Sequence, residues 1–197
     1  MGSGPDRRER ILAVSATLFA TKGIAATTVR EIGETAGVFS GSLYHYFPAK
    51  NAIVAEILRR YLDDIHTRFA AVAARTHTPE ATVRGLITET LTVIDAHPNP
   101  TAIYQNDRTY LRDNGLLEPI DRSSRSVREY WLTAIREGVA DGSLRADVPA
   151  EIFYRSVRDS LWATMHWPIR AEYSREEFAE LLITLFFSGF ATGTAPR

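Results

Sequence analysis

The stretch TTVREIGETAGVFSGSLYHYFP, Thr27 to Pro48, leaves the chain few ways to fold. Thr28 and Glu31 stand at the spacing where a hydroxyl and a carboxylate satisfy the free amides of a helix start. Val29, Ile32 and Ala36 recur at helical intervals, and Gly37 stops the run after about three turns. A second short helix begins near Ser40 and closes at Pro48, which cannot continue a helix. Helices joined by Ala36, Gly37 and Val38 form a helix-turn-helix. The small residue and the glycine let the helices cross steeply, and Val38 can wedge between them. At roughly two to three turns, the second helix suits insertion of one end into a DNA major groove.

Helical periodicity continues on both sides of this stretch, with no convincing strand alternation. Arg7 to Lys22 carries Ile11, Leu12, Leu18 and Phe19 on one side and stops at Gly23. Beyond Pro48 a long helix runs from about Lys50 to Arg75. Pro79 opens another, which ends at HPNP, His97 to Pro100. A short helix passes through Tyr104 and Tyr110. The next runs from about Pro119 to Ala140, another from Pro149 to about Trp167, and the last from about Ser174 to Phe190. The expected fold is all-α, with about nine helices. A three-helix head takes residues 1–48 and a larger bundle residues 49–197, the fourth helix continuing from one into the other.

With no cysteine, disulfide scaffolds, Cys-zinc sites and thiol catalysis are excluded, and a reducing compartment fits. His66, His77 and His97 show no metal-ligand spacing, so no metal is expected. No cofactor is implied, and there is no nucleophile–base spacing or phosphate-binding glycine loop, which argues against an enzyme. No apolar run reaches membrane-spanning length, so a soluble, cytoplasmic chain is expected. The net charge of −1 conceals an asymmetry: residues 1–50 carry six Lys/Arg against four Asp/Glu, and the remainder 17 against 20. A slightly basic head on a slightly acidic body is consistent with DNA contact by the head alone.

The segments ILAVSATLFATKG, TTVREIGETAGV and GSLYHYFPAK, in that order, resemble the TetR family of bacterial transcriptional regulators. The resemblance implies an all-helical homodimer that binds double-stranded operator DNA through the head and a small effector through the body. Position by position, it implies that Thr28 caps the second helix and touches a phosphate and that Arg30 reaches the groove edge. Ser40, Gly41 and Ser42 would open the recognition helix. Tyr44 and His45 would face DNA, Tyr46 and Lys50 would hold phosphates, and Leu43 and Phe47 would face the head's core. Phe39 departs from the family, which usually has serine there, and Ser40 replaces a commonly basic residue.

The effector must be sought in the body itself. On a helix through FYRSVRDSLWATMHW, Arg158, Trp162 and His166 fall at i, i+4 and i+8 and share a face. A cation among Ile152, Phe153, Val157, Leu161 and Met165 needs an anionic or aromatic partner. Either Arg158 pairs internally, with Asp107 or Asp113 or on Trp162, or it meets an anionic ligand while Trp162 supplies a flat wall. IYQND, REYW, EGVADGSLRADV and YRSVRDSLW resemble a branch of the same family in actinobacteria. Its members repress steroid catabolism and leave DNA on binding a coenzyme A thioester of a steroid ring fragment. That resemblance makes Arg158 and Trp162 effector-binding, and puts His166 where the branch tends to have arginine. Tyr104 and Gln105 either line the pocket or occupy a surface turn. Arg122, Arg125 and Arg128 either hold phosphates at a pocket mouth or form a solvated face. The alternatives are a regulator of efflux or stress genes sensing a lipophilic drug-like molecule and, further off, a helical-bundle enzyme.

The last helix is apolar on nearly every side. Phe178, Leu181, Leu182, Leu185, Phe186 and Gly189 form one stripe, with Ile183, Phe187 and Phe190 opposite. A helix of this kind must be covered twice, and a second subunit, packed isologously, is the expected second cover.

Overall fold

The structure, a computed structural model, describes residues 4–189, with the side chains of residues 4–6 and Ser40 left out; Phe190 lies outside the described residues. The described residues hold ten α-helices and no strand: α1 Gly4–Lys22, α2 Val29–Ala36, α3 Ser40–Leu43, α4 Lys50–Arg75, α5 Pro79–Ala96, α6 Pro98–Asn106, α7 Arg108–Asp113, α8 Leu117–Asp141, α9 Ala150–Ala163 and α10 Arg175–Ser188. Two 3₁₀ segments, Thr164–His166 and Pro168–Glu172, separate α9 from α10.

The expected all-α architecture is present, with three differences in its elements. The single helix expected through Tyr104 and Tyr110 is two, α6 and α7, separated at Asp107, whose backbone leaves the helical region at φ −100° and ψ 21°. The recognition element is shorter than expected. After Leu43 the chain tightens, with His45 N–H donating to Ser42 O at 3.2 Å and Tyr46 N–H to Leu43 O at 2.9 Å. Gly41 and two serines are weak helix formers, and Pro48 pushes Phe47 away from helical backbone. Likewise α9 stops at Ala163 rather than near Trp167. The Thr164 hydroxyl donates back to Leu161 O at 2.6 Å, and Trp167, before Pro168, is extended at φ −86° and ψ 117°.

The chain forms two compact units: Met1–His66 with His97–Ser126, and Thr67–Ala96 with Val127–Arg197. The division falls inside α4 and α8. The unit that contains the head therefore reaches beyond residue 48. Its core gathers Ile11 and Phe19 from α1, Ile32 from α2, Leu43 and Phe47 around α3, Ile53 to Ile65 along α4, and Ile103, Leu111 and Ile120 from α6, α7 and α8. In the second unit Phe69 and Val72 are buried, Phe69 meeting Trp131 of α8 edge-on at 6.1 Å and Val72 lying against Gly85 of α5.

Within the first unit, Glu56 of α4 binds three arginines: Arg60 at 2.8 Å, Arg59 at 3.3 Å and Arg8 of α1 at 3.4 Å. Arg60 reaches on to Glu9 at 2.7 Å. Burial pushes the Glu56 carboxyl up, but the guanidiniums outweigh it and hold the pKa at about 2 instead of 4.5. A carboxylate depressed by folding contributes stability that is complete above the unfolded pKa and is lost as pH falls through the folded one. Glu56→Gln is therefore expected to lower the melting temperature at neutral pH. Between pH 4.5 and 2 its melting temperature should fall less steeply than wild type, which thermal unfolding across that range measures.

Candidate nucleic-acid interface and effector-binding residues

The bend between α2 and α3 is fixed at both ends. Thr28 caps α2, its hydroxyl accepting from Glu31 N–H at 3.1 Å. The Glu31 carboxylate is bound by Lys22 of α1, and that ammonium, with a smaller contribution from the Thr28 amide, holds its pKa below the usual range. At the other end Gly37 adopts φ 67°, a left-handed conformation in which a β-carbon is strained. Gly37 N–H donates to Glu34 O at 3.3 Å and Val38 N–H to Gly33 O at 2.9 Å, the paired bonds of a Schellman cap.

This frame sorts the side chains of the recognition segment. Leu43 and Phe47 are buried, and Arg8 lies over the Phe47 ring at 4.7 Å. Gly41, Tyr44 and His45 are exposed, Tyr44 by 55%, while Ser42 and Tyr46 are half-buried. The Ser40 side chain lies outside the described residues. Thr28 and Arg30 are exposed, Arg30 pairing with Glu34 one turn on at 2.7 Å. Solvent-exposed pairs of this kind are weak, so the guanidinium can be drawn to a phosphate.

Lys50 is placed differently from the sequence expectation of a phosphate contact. Its ammonium turns inward, donating to Ile24 O at 2.6 Å and Thr27 O at 2.9 Å, with the Tyr110 ring 5.4 Å away. Burial pushes its pKa down. Asp107 reaches the same turn, its carboxylate accepting from Ile24 N–H at 3.1 Å, and burial pushes its pKa up. Two further cations escaped the sequence reading. Arg7 and Arg10 are exposed on α1 and pair with no carboxylate among the described residues. An Arg10 nitrogen lies 3.8 Å from where a β-carbon on Gly37 would stand. The spacing of two arginines on the outer face of α1 was the available signal.

The five residues expected to bind the effector divide between the units. In the first, the Tyr104 hydroxyl bonds Ser124 at 2.8 Å, Arg108 lies over its ring at 5.2 Å, and Gln105 is half-buried. In the second, Arg158 and Trp162 are one turn apart on α9, and both are partly exposed. The exposed His166 lies in the 3₁₀ segment instead of continuing that helix, so the expected i, i+4, i+8 line is broken. Arg158 does pair internally, but with Asp159 at 2.6 Å and over the Tyr154 ring at 5.4 Å. Arg128 lies over the same ring at 5.9 Å and pairs with Glu129 and Glu151. Arg122 pairs with Glu118 at 3.2 Å; Arg125 is exposed and has no carboxylate partner among the described residues.

The stripe drawn along α10 also divides. Phe178 and Leu182 are buried within the chain, Phe178 between Trp167 and Tyr173. Leu181 and Leu185 are exposed, by 51% and 41%, Phe186 is half-buried, and Gly189 ends the helix at the surface. Among the described residues no three His, Asp or Glu side chains cluster as a metal site, and no helix is long and apolar enough to cross a membrane.

The family model for bacterial regulatory proteins of the tetR family matches residues 11–57, the span that carries this frame. The chain belongs to the TetR family and is a DNA-binding transcriptional repressor of that type, a regulator and not an enzyme. Its relatives include the HTH-type transcriptional repressor KstR2 of Rhodococcus jostii, 39% identical over 82% of this chain and 79% of that one. The structure of the ketosteroid transcriptional regulator KstR2 of Mycobacterium tuberculosis superposes with a TM-score of 0.86 at 28% identity, covering 98% of both chains. FadR of Bacillus subtilis, solved in complex with stearoyl-CoA, shares the fold at 17% identity and a TM-score of 0.73, covering 93% of this chain and 99% of that one.

Proposed function

We propose that the protein acts as a homodimer on palindromic operator DNA and is released by a small effector, a coenzyme A thioester of a steroid or lipid catabolite. On DNA, Tyr44 and His45 face the bases. Thr28, Arg30, Ser42 and Tyr46 lie toward the phosphates, joined by Arg7 and Arg10, and Gly41 lets the backbone approach. Lys50 contributes by holding the turn at Ile24 and Thr27.

The observation that carries the effector class is the group on α9 and α8. Arg158 and Arg128 both stand over Tyr154, and Trp162 follows one turn after Arg158. Guanidiniums held by neighbouring carboxylates can exchange them for phosphate oxygens, and an indole offers a flat apolar wall. Similar proteins support the class: one is a ketosteroid regulator, and a more distant protein of the same fold was solved in complex with stearoyl-CoA. Release needs two states of the dimer. A ligand shifts that balance only through its different affinities for the two.

The second subunit covers Leu181, Leu185 and Phe186 of α10, and twin heads then meet matched half-sites. Purified protein is expected to bind a fragment of its own promoter with two protomers per half-site pair, measured by fluorescence anisotropy and stoichiometric titration. Binding of a single protomer, or no binding, would contradict operator recognition by a dimer.

A further inference from the structure

We propose that Phe39 reads the C5-methyl group of a thymine in the operator's major groove and so sets base preference at the start of the recognition segment. The inference rests on operator binding by the helix-turn-helix.

Phe39 occupies the N-cap of α3, where Ser, Thr, Asp or Asn ordinarily offers an oxygen to the free amides of the first turn. It makes no side-chain cap bond, so the helix begins without that stabilisation. The ring does not compensate by joining the core. At 85% exposure it is the most exposed large hydrophobic side chain among the described residues. A phenyl group that neither caps nor packs has a place on the free protein only as surface.

That surface lies at the leading end of the recognition segment. The backbone of Phe39 is held there, its carbonyl accepting from Ser42 N–H at 2.8 Å and Leu43 N–H at 3.1 Å. The ring lies beside Gly41, where a β-carbon would stand 3.8 Å from Phe39 Cδ1. The Arg10 guanidinium is beside Gly37, two residues before Phe39, placed to neutralise a phosphate flanking the groove.

The ring's chemistry selects its partner. A phenyl group cannot hydrogen-bond a base edge or hold a phosphate. In the major groove the one apolar group that a base presents is the thymine methyl, and apolar side chains, Phe among them, read it.

Deoxyuridine differs from thymidine by that methyl alone. The test is anisotropy on promoter fragments in which each thymine in turn is replaced by deoxyuridine, with wild type, Phe39→Leu and Phe39→Ala. For wild type, a single substitution at one position of a half-site is expected to weaken binding about fourfold, the factor that corresponds to burying one methyl group. Phe39→Leu should retain the discrimination. Phe39→Ala should lose it, binding the thymine and deoxyuridine fragments equally, while its melting temperature and its affinity for unrelated DNA stay at the wild-type values. Operator binding indifferent to every substitution overturns the inference, as does a set of sensitive positions none of which loses its effect in Phe39→Ala. Failure of all three proteins to bind any promoter fragment would instead remove operator binding, and this inference with it.

Discussion

Leu181→Glu combined with Leu185→Glu is expected to convert the proposed dimer to a monomer and to weaken operator binding by about 100-fold or more. Both leucines are exposed in the protomer, by 51% and 41%, so carboxylates there meet water and the fold survives. In a dimer the same carboxylates would be buried and face their own copies across the two-fold axis, which costs the burial of like charges. Loss of the dimer separates the two heads. The second half-site is then no longer bound at the high effective concentration that linkage supplies, which is worth about 10²- to 10⁴-fold. Sedimentation reads the first effect and anisotropy the second. A doubly substituted protein that stays dimeric would place the interface elsewhere than α10.

Arg158→Met and Trp162→Leu are each expected to weaken the response to a coenzyme A thioester while leaving affinity for effector-free operator unchanged. Among the described residues Arg158 pairs with the adjacent Asp159 and lies over the face of Tyr154, both on its own helix, so its removal breaks no ion pair between helices. A charge-assisted bond to a phosphate or carboxylate is worth about 1.5–3 kcal/mol, so effector affinity should fall by about 10- to 100-fold. Isothermal titration with the thioester and operator anisotropy separate the two functions. Loss of operator binding in the Arg158 variant would mean that the arginine supports the fold instead of the ligand.

Much of this architecture is legible in the residues. The bend at Ala36 and Gly37, the cap at Thr28 and the burial of Leu43 and Phe47 follow from local chemistry, which one chain segment carries by itself. What stayed hidden depends on partners distant in sequence. Lys50 looks like a cation for phosphate because its acceptors, Ile24 O and Thr27 O, are backbone atoms that leave no mark in a sequence. Asp107 likewise meets a backbone amide 83 residues away. Periodicity found the helix that carries Arg158, but a threonine's bond to its own helix and the proline beyond ended it before His166. α10 is apolar on nearly every side, so period alone could not tell Phe178 and Leu182, which the chain buries, from Leu181 and Leu185, which it leaves exposed.

The most direct test of the proposed function is a titration of the preformed operator complex, followed by anisotropy, with the coenzyme A thioester of a steroid ring fragment. Free coenzyme A and an unrelated lipophile serve as comparisons. The expected result is saturable release by the thioester at concentrations where neither comparison acts, since release needs both the acyl group and the phosphates. A complex that ignores the thioester while the unrelated lipophile dissociates it would contradict the proposal and favour a sensor of apolar molecules.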